Sequence, residues 1–284
     1  MEERTEHTLE EGLIGWFEEC LREEEKSTAT IQKYLRDIRA FWRFVGESGK
    51  VSKEVVIAYK QALSKQYAPA SANSMLAAAN HFFQAVGWQD CVVKAFKVQK
   101  ESFRSGEREL SKEEYIRLVD TAERKGRIRL SLVMQTICTT GIRVSELRFI
   151  TVEALQTRRA RVVLKGKART VILPKELCKR LLLYVKEQQI VSGSVFVTSS
   201  GKPLDRSNIL HAMKALGKEA GVPKNKLFPH NLRHLFAVEY YDAERDLSHL
   251  ADLLGHSNIN TTRIYTRVSC EEQEARLERL GLVR

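Results

Sequence analysis

The stretch "LSHLADLLGHSNINTTRIYT", Leu247 to Thr266, carries a fold signal and an unusual pair of side chains. Its first part has apolar residues at helical spacing and ends at Gly255, which is typical of an amphipathic helix closed by a glycine C-cap. His256 follows that glycine directly, and Tyr265 comes nine residues later. Helix formation explains the glycine but not the histidine and the tyrosine, so the latter two are candidates for chemistry.

The chain before this stretch predicts a mainly helical domain that contains one small sheet. The nearly all-apolar run from Ile128 to Gly141 predicts a buried helix, and Ser111 with Glu114 matches a capping box at the start of another. Two β-branched runs in "ARVVLKGKARTVILP", residues 160–174, surround a Lys-Gly-Lys turn and predict a β-hairpin. We expect a further short strand at "SVFVT", residues 194–198.

The N-terminal part of the chain predicts a separate, small helical domain. Apolar residues recur at helical spacing in residues 9–21 and 31–45. Ser52 is a candidate N-cap of a third helix, and Pro69 begins a fourth that Gly87 closes. The fold class expected for the whole chain is therefore mainly α (α+β), with two domains.

Composition and cysteine usage exclude several classes of protein. Hydrophobic residues make up 43% of the 284 residues, which is enough for packed cores. Five scattered cysteines form no CxxC pair, which argues against a disulfide framework or a zinc site. Residues 1–26 lack the basic and apolar regions of a signal peptide, and no apolar run approaches the length of a membrane span. We expect a soluble, cytoplasmic protein.

Charge is distributed unevenly along the chain. Residues 1–26 hold ten Glu and three basic residues, so they contribute −7 and the remaining residues contribute +18 to the net charge of +11. A basic body of this magnitude favours a nucleic acid partner over a merely solvated surface.

Four places in the basic body combine guanidinium, ammonium, imidazole or phenol groups at short spacing. They are Arg143 with Glu146, Lys165 at the hairpin turn, His230 with Arg233, and His256 with Tyr265. Taken singly, each place has an ordinary structural explanation: a surface salt bridge, a solvated turn lysine, a helix N-cap and a half-buried aromatic ring.

Together these groups supply the parts for attack on a phosphodiester. Arg143 and Arg233 can clamp the non-bridging oxygens, because the guanidinium fork matches phosphate geometry. A tyrosine hydroxyl becomes a nucleophile when a base, here His230, takes its proton, and a lysine can protonate the leaving 5′ oxygen. His256 can donate a hydrogen bond to the phosphate as charge develops. The sequence shows no Asp/Glu cluster of metal-ligand type, so we expect neither a metal nor another cofactor.

Four boxes of sequence occur in an order that belongs to a known family: "TGIRVSEL", "LKGKART", "PHNLRHLFA" and "LLGHSNINTTRIYTRV". With them the chain resembles the tyrosine recombinases, the phage-integrase and Xer-like enzymes. Upstream, "KSTATIQKYLRDIRAFWRFV" and "ASANSMLAAANHFFQAVGW" resemble the helical core-binding domain of that family.

The resemblance implies a role for each candidate residue. Arg143 and Arg233 would bind the scissile phosphate, Glu146 would orient the site, and His230 would be the histidine paired with the second arginine. Tyr265 would be the nucleophile.

The remaining roles concern the hairpin and the last box. Lys165 would be the general acid, with Lys167 as the competing assignment in the same turn, and His256 would fill a position held by His or Trp in relatives. Around the hairpin a run of basic residues without an acid would contact DNA. The members of this run besides Lys165 are Arg158, Arg159, Arg161, Lys167 and Arg169.

The resemblance also implies a domain plan. It comprises a core-binding (SAM-like) DNA-binding domain over residues 1–92, a basic linker over 93–109, a catalytic domain over 110–270 and a C-terminal tail over 271–284. We expect this tail either to dock on a neighbouring protomer or to be an ordinary fraying terminus.

The function implied is site-specific recombination of double-stranded DNA through a 3′-phosphotyrosyl intermediate, in integration, excision or resolution. A homotetramer on two DNA sites is expected, while accessory proteins are not specified by the sequence. Two alternatives remain open, a type IB topoisomerase that relaxes DNA and a catalytically silent DNA-binding protein of the same fold.

Overall fold

The computed structural model describes residues 6–97, 108–164, 166–198, 200–256, 258–266, 274 and 277–280. The chain divides into two compact units, residues 1–100 and 101–284, and each unit has its own buried apolar cluster. Lys165, most of the predicted linker and most of the predicted C-terminal tail lie outside the described residues.

Helices dominate the N-terminal unit. Its elements are β1 (His7–Thr8), α1 (Glu11–Glu23), α2 (Thr28–Val45), β2 (Lys50–Val51), α3 (Lys53–Gln66), α4 (Pro69–Ala85) and a 3₁₀ turn (Gln89–Cys91). Pro69 takes the first position of α4, where a missing backbone N–H leaves no helical hydrogen bond unmade. The Ser27 hydroxyl caps α2 by accepting from the Thr30 N–H at 3.3 Å.

Aromatic side chains fill the centre of this unit. Phe41 meets Phe83 edge-to-face with ring centroids 5.5 Å apart, and Phe17 meets Phe82 in the same way at 5.2 Å. All four rings are fully buried. Truncating one such ring to alanine typically costs about 3–5 kcal/mol, so these contacts fix how the helices pack.

The chain leaves the last helix of this unit along a docked segment, residues 93–96. The Asn80 side chain donates to the Val93 carbonyl at 2.7 Å and accepts from the Val93 N–H at 3.0 Å. Asn73, two turns earlier on α4, forms the same pair with Phe96, at 2.9 Å and 2.7 Å. The first residues of the predicted linker are therefore held on α4 through their backbone.

The C-terminal unit is also mainly helical. Its helices and strands are α5 (Lys112–Arg124), α6 (Ile128–Thr140), α7 (Val152–Thr157), β3 (Arg159–Leu164), β4 (Lys167–Ile172), α8 (Lys175–Glu187), α9 (Arg206–Gly217), α10 (Pro229–Glu244) and α11 (Leu247–Leu254). Its 3₁₀ turns are Val144–Phe149, Lys224–Lys226, Ile259–Thr261 and Arg263–Thr266.

Helix α6 lies at the centre of this unit and packs against α5, α8 and α10. Leu132, Val133, Met134 and Ile137 are buried on it, as its nearly all-apolar sequence predicts. The capping box predicted at the start of α5 is present, since Ser111 and Glu114 exchange hydrogen bonds of 2.9 Å and 3.2 Å. The mainly helical fold class with a small antiparallel sheet is confirmed.

The sheet prediction is right in one place and wrong in another. Strands β3 and β4 form the predicted hairpin, with Val162 opposite Arg169. Residues 194–198 form no strand, because the segment changes partner along its length. Ser194 bridges to Thr151, whereas Val197 bridges to Pro203, so no continuous ladder develops. Among the described residues, none of the helices combines the length and the apolar character needed to cross a bilayer.

Candidate active site

The end of α6 sets up the first part of the site. Gly141 closes the helix with φ +63°, in the left-handed region that glycine adopts without strain. A Cβ at this position would lie 2.4 Å from the Phe236 ring, so a larger residue would clash as well. This tight turn leads directly to Arg143 and leaves the Gly141 carbonyl available as an acceptor.

Glu146 balances two arginines from a position that is 1% exposed. One carboxylate oxygen accepts from Arg143 Nη1 at 3.0 Å, and the other accepts from the Arg143 backbone N–H at 2.7 Å. Arg169 reaches the same carboxylate from β4, with contacts of 2.8 Å and 3.2 Å. Burial of a carboxylate requires such compensation, and the result fixes Arg143 at the mouth of the site.

The position of Arg169 differs from that expected of a DNA-contacting side chain. Its side chain is only 16% exposed, and besides Glu146 it donates to the Leu254 carbonyl at 3.4 Å. Gly255 makes room for it, because a Cβ there would lie 2.7 Å from Arg169 Nη1. The geometry therefore makes Arg169 an internal support of Glu146.

The other basic residues of the hairpin region separate into two groups. Arg158, Arg159 and Arg161 are exposed, as a DNA-contacting surface requires. Lys165 and the side chain of Lys167 lie outside what the structure describes, so the choice between them stays a prediction.

Arg233 on α10 lies at the centre of the site, and the residue is 2% exposed. Its guanidinium donates to the Gly141 carbonyl, to the Leu254 carbonyl at 2.7 Å and to His256 Nε2 at 3.0 Å. Burial, followed by the charge of Arg143, lowers the pKa of Arg233 to about 10. The group therefore remains positively charged at neutral pH.

The contacts of His256 define its protonation state. Arginine has only donors, so Nε2 of His256 accepts from Arg233. Its Nδ1 lies 2.9 Å from Oγ1 of Thr262 and carries the ring proton. Burial and then the neighbouring arginine charges lower the pKa of His256 to about 4, so the ring is neutral. In this arrangement Nε2 is an acceptor, whereas a hydrogen bond donated to a phosphate would need a proton there.

Tyr265 is 3% exposed and packs beside two imidazole rings. Its ring is stacked with that of His256 at a centroid distance of 6.3 Å, and it meets His234 edge-to-face at 5.1 Å. Burial raises the pKa of the Tyr265 phenol, while the charge of Arg233 and a hydrogen bond to it act in the opposite direction. The phenol thus lies next to a buried cation that favours its ionised form.

An open cavity of about 350 Å³ lies beside Arg143 and Arg233. Arg143, His230 and Arg233 line it, together with Arg206 at the first position of α9. Partial desolvation, followed by the charges of Arg233, Arg206 and Arg143, lowers the pKa of His230. The imidazole is therefore neutral at neutral pH and able to accept a proton.

The structure brings Arg143, Glu146, Arg233, His256 and Tyr265 together through direct contacts, and His230 lines the same cavity as Arg143 and Arg233.

Two residues of the site were not predicted. Arg206 could have been suspected from an arginine that follows the Asp205 N-cap, but its approach to His230 depends on tertiary packing. Thr262 had no sequence signal beyond its closeness to Tyr265.

Comparisons with known protein families match both parts of the chain. A sequence profile described as "Phage integrase family" matches residues 108–272, and one described as "Phage integrase, N-terminal SAM-like domain" matches residues 13–90.

Similar curated proteins include the tyrosine recombinase XerA of Pyrococcus furiosus, 28% identical over 98% of this chain and 97% of that protein. The XerA of Thermococcus kodakarensis is 30% identical over 95% of this chain and 96% of that protein.

Solved structures are similar over most of the chain as well. A crystal structure of XerA recombinase, 25% identical, covers 96% of this chain and 99% of its own with a TM-score of 0.52. A lambda integrase dimer bound to a COC′ core site, 17% identical, covers 92% and 77% with a TM-score of 0.74, which is a likeness of fold.

Proposed function

This chain belongs to the phage integrase family as a tyrosine-type site-specific DNA recombinase, and on that premise we propose that Tyr265 cuts DNA by attacking the scissile phosphate. The phenol oxygen forms a bond to phosphorus as the bond to the 5′ oxygen breaks. The products are a 3′-phosphotyrosyl link and a free 5′ hydroxyl. Attack by a 5′ hydroxyl on that link, with Tyr265 leaving, rejoins the strand.

The contacts of Arg233 support this proposal most directly. One buried guanidinium contacts the ring nitrogen of His256 and the phenol of Tyr265, and it lines the cavity where a phosphate would enter. Positive charge fixed in a desolvated site stabilises the extra negative charge of a pentacoordinate phosphate.

Arg143 and Arg233 would interact with the phosphate in different ways. Arg233 already donates to Gly141, Leu254 and His256, so its main contribution to the phosphate is a fixed charge. Arg143 is 42% exposed and is held by Glu146 through Nη1, so its outward N–H groups would make the bidentate contact.

Two proton transfers complete the step. His230, neutral and on the cavity wall, would take the phenol proton. Lys165, at the hairpin turn, would give a proton to the leaving 5′ oxygen. We assign His256 an orienting part, since its Nε2 accepts from Arg233. Guanidinium groups supply the charge in this scheme, so it requires no metal ion or other cofactor.

We also propose the partners and setting of the reaction. Duplex DNA is the substrate, consistent with the +18 carried by residues 27–284, and the cytoplasm is the proposed site of action. A homotetramer on two DNA sites is supported by the solved lambda integrase tetramer bound to a Holliday junction, a structural relative at 18% identity and a TM-score of 0.71. We propose residues 1–92 and 110–270 as the core-binding and catalytic domains.

A nicked suicide substrate tests the nucleophile. On such a duplex the 5′ product diffuses away, so the wild-type chain should accumulate a denaturation-resistant protein–DNA adduct on Tyr265. Tyr265→Phe should bind DNA normally and form no adduct. Tyr241→Phe is the matched control and should behave as wild type, because Tyr241 lies in the last turn of α10 with its ring against Arg245. An adduct that persists in Tyr265→Phe would refute the assignment.

The topoisomerase alternative requires a different readout. A recombinase joins two defined sites, whereas a relaxing enzyme changes only the linking number of a plasmid. Relaxation of plasmids that lack a recombination site, with no joined products, would favour the alternative.

A further inference from the structure

Thr262 lies between His256 and Tyr265 in the sequence, and its side chain is 0% exposed. Its Oγ1 lies 2.9 Å from Nδ1 of His256. Its backbone carbonyl accepts from the N–H of Tyr265 at 3.0 Å. One buried residue thus contacts His256 through its side chain and the proposed nucleophile through its main chain.

The proton on His256 follows from the partners on both sides of its ring. Arg233 can only donate, so Nε2 of His256 must present its lone pair. A neutral imidazole with a lone pair at Nε2 carries its proton at Nδ1. That proton points at Oγ1 of Thr262, which accepts it. The hydroxyl therefore supplies the acceptor for the proton that the contact with Arg233 places at Nδ1.

The backbone carbonyl of Thr262 contacts Tyr265. Thr262 follows the 3₁₀ turn Ile259–Thr261 and precedes the turn Arg263–Thr266, which carries Tyr265. Its carbonyl closes the second turn on Tyr265. A displacement of Thr262 would consequently move the phenol and the imidazole together.

We propose that Thr262 is a positioning residue for strand cleavage, whose hydroxyl accepts the Nδ1 proton of His256 and thereby holds the imidazole in the orientation that accepts from Arg233 beside Tyr265. This inference rests on the proposed function for its effect on cleavage, while its effect on the histidine stands on the contacts alone. Without the hydroxyl, the Nδ1 proton would be left without its acceptor in a partly buried place. The alternative tautomer would direct an Nε2 proton at the donors of Arg233.

Three substitutions distinguish a role of the Thr262 hydroxyl from an effect on folding. Thr262→Val keeps the branched shape and deletes the hydroxyl, and Thr262→Ser keeps the hydroxyl and deletes a methyl group. Thr261→Val is the matched control, because Thr261 is the same residue type, adjacent and exposed.

The first readout is the ¹⁵N spectrum of histidine-labelled protein, in which the two ring nitrogens of a given tautomer have distinct shifts. His256→Asn identifies the relevant signal among the seven histidines. Wild type, Thr262→Ser and Thr261→Val should show the Nδ1–H form of His256 with a proton that exchanges slowly with water. Thr262→Val should lose this protection, because no hydroxyl then accepts the Nδ1 proton. An Nδ1 proton that is equally protected in Thr262→Val would overturn the proposal.

The second readout is single-turnover cleavage of the suicide substrate at saturating DNA. An unsatisfied buried polar group typically costs about 1–3 kcal/mol, so Thr262→Val should be slowed by about ten- to a hundredfold. Its DNA affinity should stay as in wild type, and Thr262→Ser should remain within about threefold of the wild-type rate. Equal rates for Thr262→Val and wild type would overturn the proposal.

The proposal can still be tested if a variant does not fold or if the wild-type chain is inactive. If Thr262→Val does not fold, Thr262→Ala is the hydroxyl-free variant, and a rate equal to that of Thr262→Ser would contradict a role for the hydroxyl. If wild type forms no adduct, the proposed function fails. The exchange rate of the Nδ1 proton of His256 still tests Thr262 in that case.

Discussion

Glu146 is the residue on which the charge balance of the site depends. It is 1% exposed and accepts from Arg143 and Arg169, while Arg233 lies close enough for its pKa to respond to the same carboxylate. Removing one partner of a buried ion pair leaves the other charge uncompensated, and this loss usually exceeds the net stabilisation of the pair. Glu146 is consequently a structural requirement as well as an orienting group.

Glu146→Gln should lower the free energy of unfolding of the C-terminal unit by about 3 kcal/mol, because two arginine charges lose their carboxylate. Urea denaturation followed by circular dichroism measures this change. Glu176→Gln is the control, since Glu176 forms an i,i+3 ion pair with Lys179 at a 77% exposed position. It should change stability by no more than about 0.5 kcal/mol. Equal effects of the two substitutions would contradict the role of burial.

The pH dependence of cleavage is also controlled by a single residue, His230. The pKa of His230 is lowered by partial desolvation and by Arg233, Arg206 and Arg143, so the neutral base persists below the usual histidine range. Cleavage should be nearly flat around neutral pH and should fall only as acid protonates the ring.

Arg206→Ala removes one of the charges that oppose this protonation, so the pKa of His230 should rise and the acid limb should move to higher pH. Single-turnover cleavage between about pH 5 and about pH 8 measures the shift. Lys214→Ala removes one charge from the other end of α9 and should leave the profile in place. A profile that Arg206→Ala does not move would separate Arg206 from the proposed base.

The sequence predicts which residues form the site better than it predicts which of them contact one another. Arg143 and Glu146 are three positions apart, so their pairing follows from local geometry. Arg169 joins Glu146 from β4, across 23 residues, whereas its place in a run of basic residues without an acid had predicted a DNA-contacting side chain. The tautomer of His256 likewise depends on Arg233 and Thr262, which only the folded chain brings together.

At the scale of elements, periodicity predicted what local sequence controls. Helix α6 and the β3–β4 hairpin have strong apolar patterns and are present. The strand expected over residues 194–198 failed, since β-branched residues there satisfy their backbone through two different partners. The pairing of β1 with β2 involves two residues in each strand, too few for a recognisable alternation.

The docked segment, residues 93–96, was also invisible in sequence, because asparagine side chains replace a neighbouring strand. Asn73 and Asn80 each form two hydrogen bonds with its backbone. Such pairing resembles one rung of a sheet, so the segment should be protected from proteases that need an extended backbone.

The double substitution Asn73→Ala and Asn80→Ala should increase the rate of tryptic cleavage after Lys94 by about tenfold or more, because four hydrogen bonds of about 0.5–1.5 kcal/mol each are lost. Limited proteolysis with mass spectrometry measures the rate. Gln84→Ala, an exposed position on the same helix, should leave it unchanged. If the double variant is cut no faster than wild type, the asparagines do not hold the segment.

At the scale of the whole molecule, charge is the property that sequence alone described best. The acidic first 26 residues and the +18 of the remainder are facts of composition, and they predicted a nucleic acid partner before any site was identified. Composition does not say which basic residues face the partner. Strand β3 offers an answer, since Ala160 and Val162 are buried and the alternating Arg159 and Arg161 are exposed on the opposite face.

The double substitution Arg159→Gln and Arg161→Gln should weaken binding of duplex DNA and flatten its salt dependence. Each phosphate contact releases condensed counterions, so losing two contacts should reduce the slope of log K against log salt by about 2. Lys175→Gln with Lys179→Gln removes the same net charge from α8 and separates a local contact from a general change in charge. Fluorescence anisotropy over a series of salt concentrations measures both slopes. If the control pair flattens the slope as much as the β3 pair, the arginines of β3 contribute only through the net charge of the molecule.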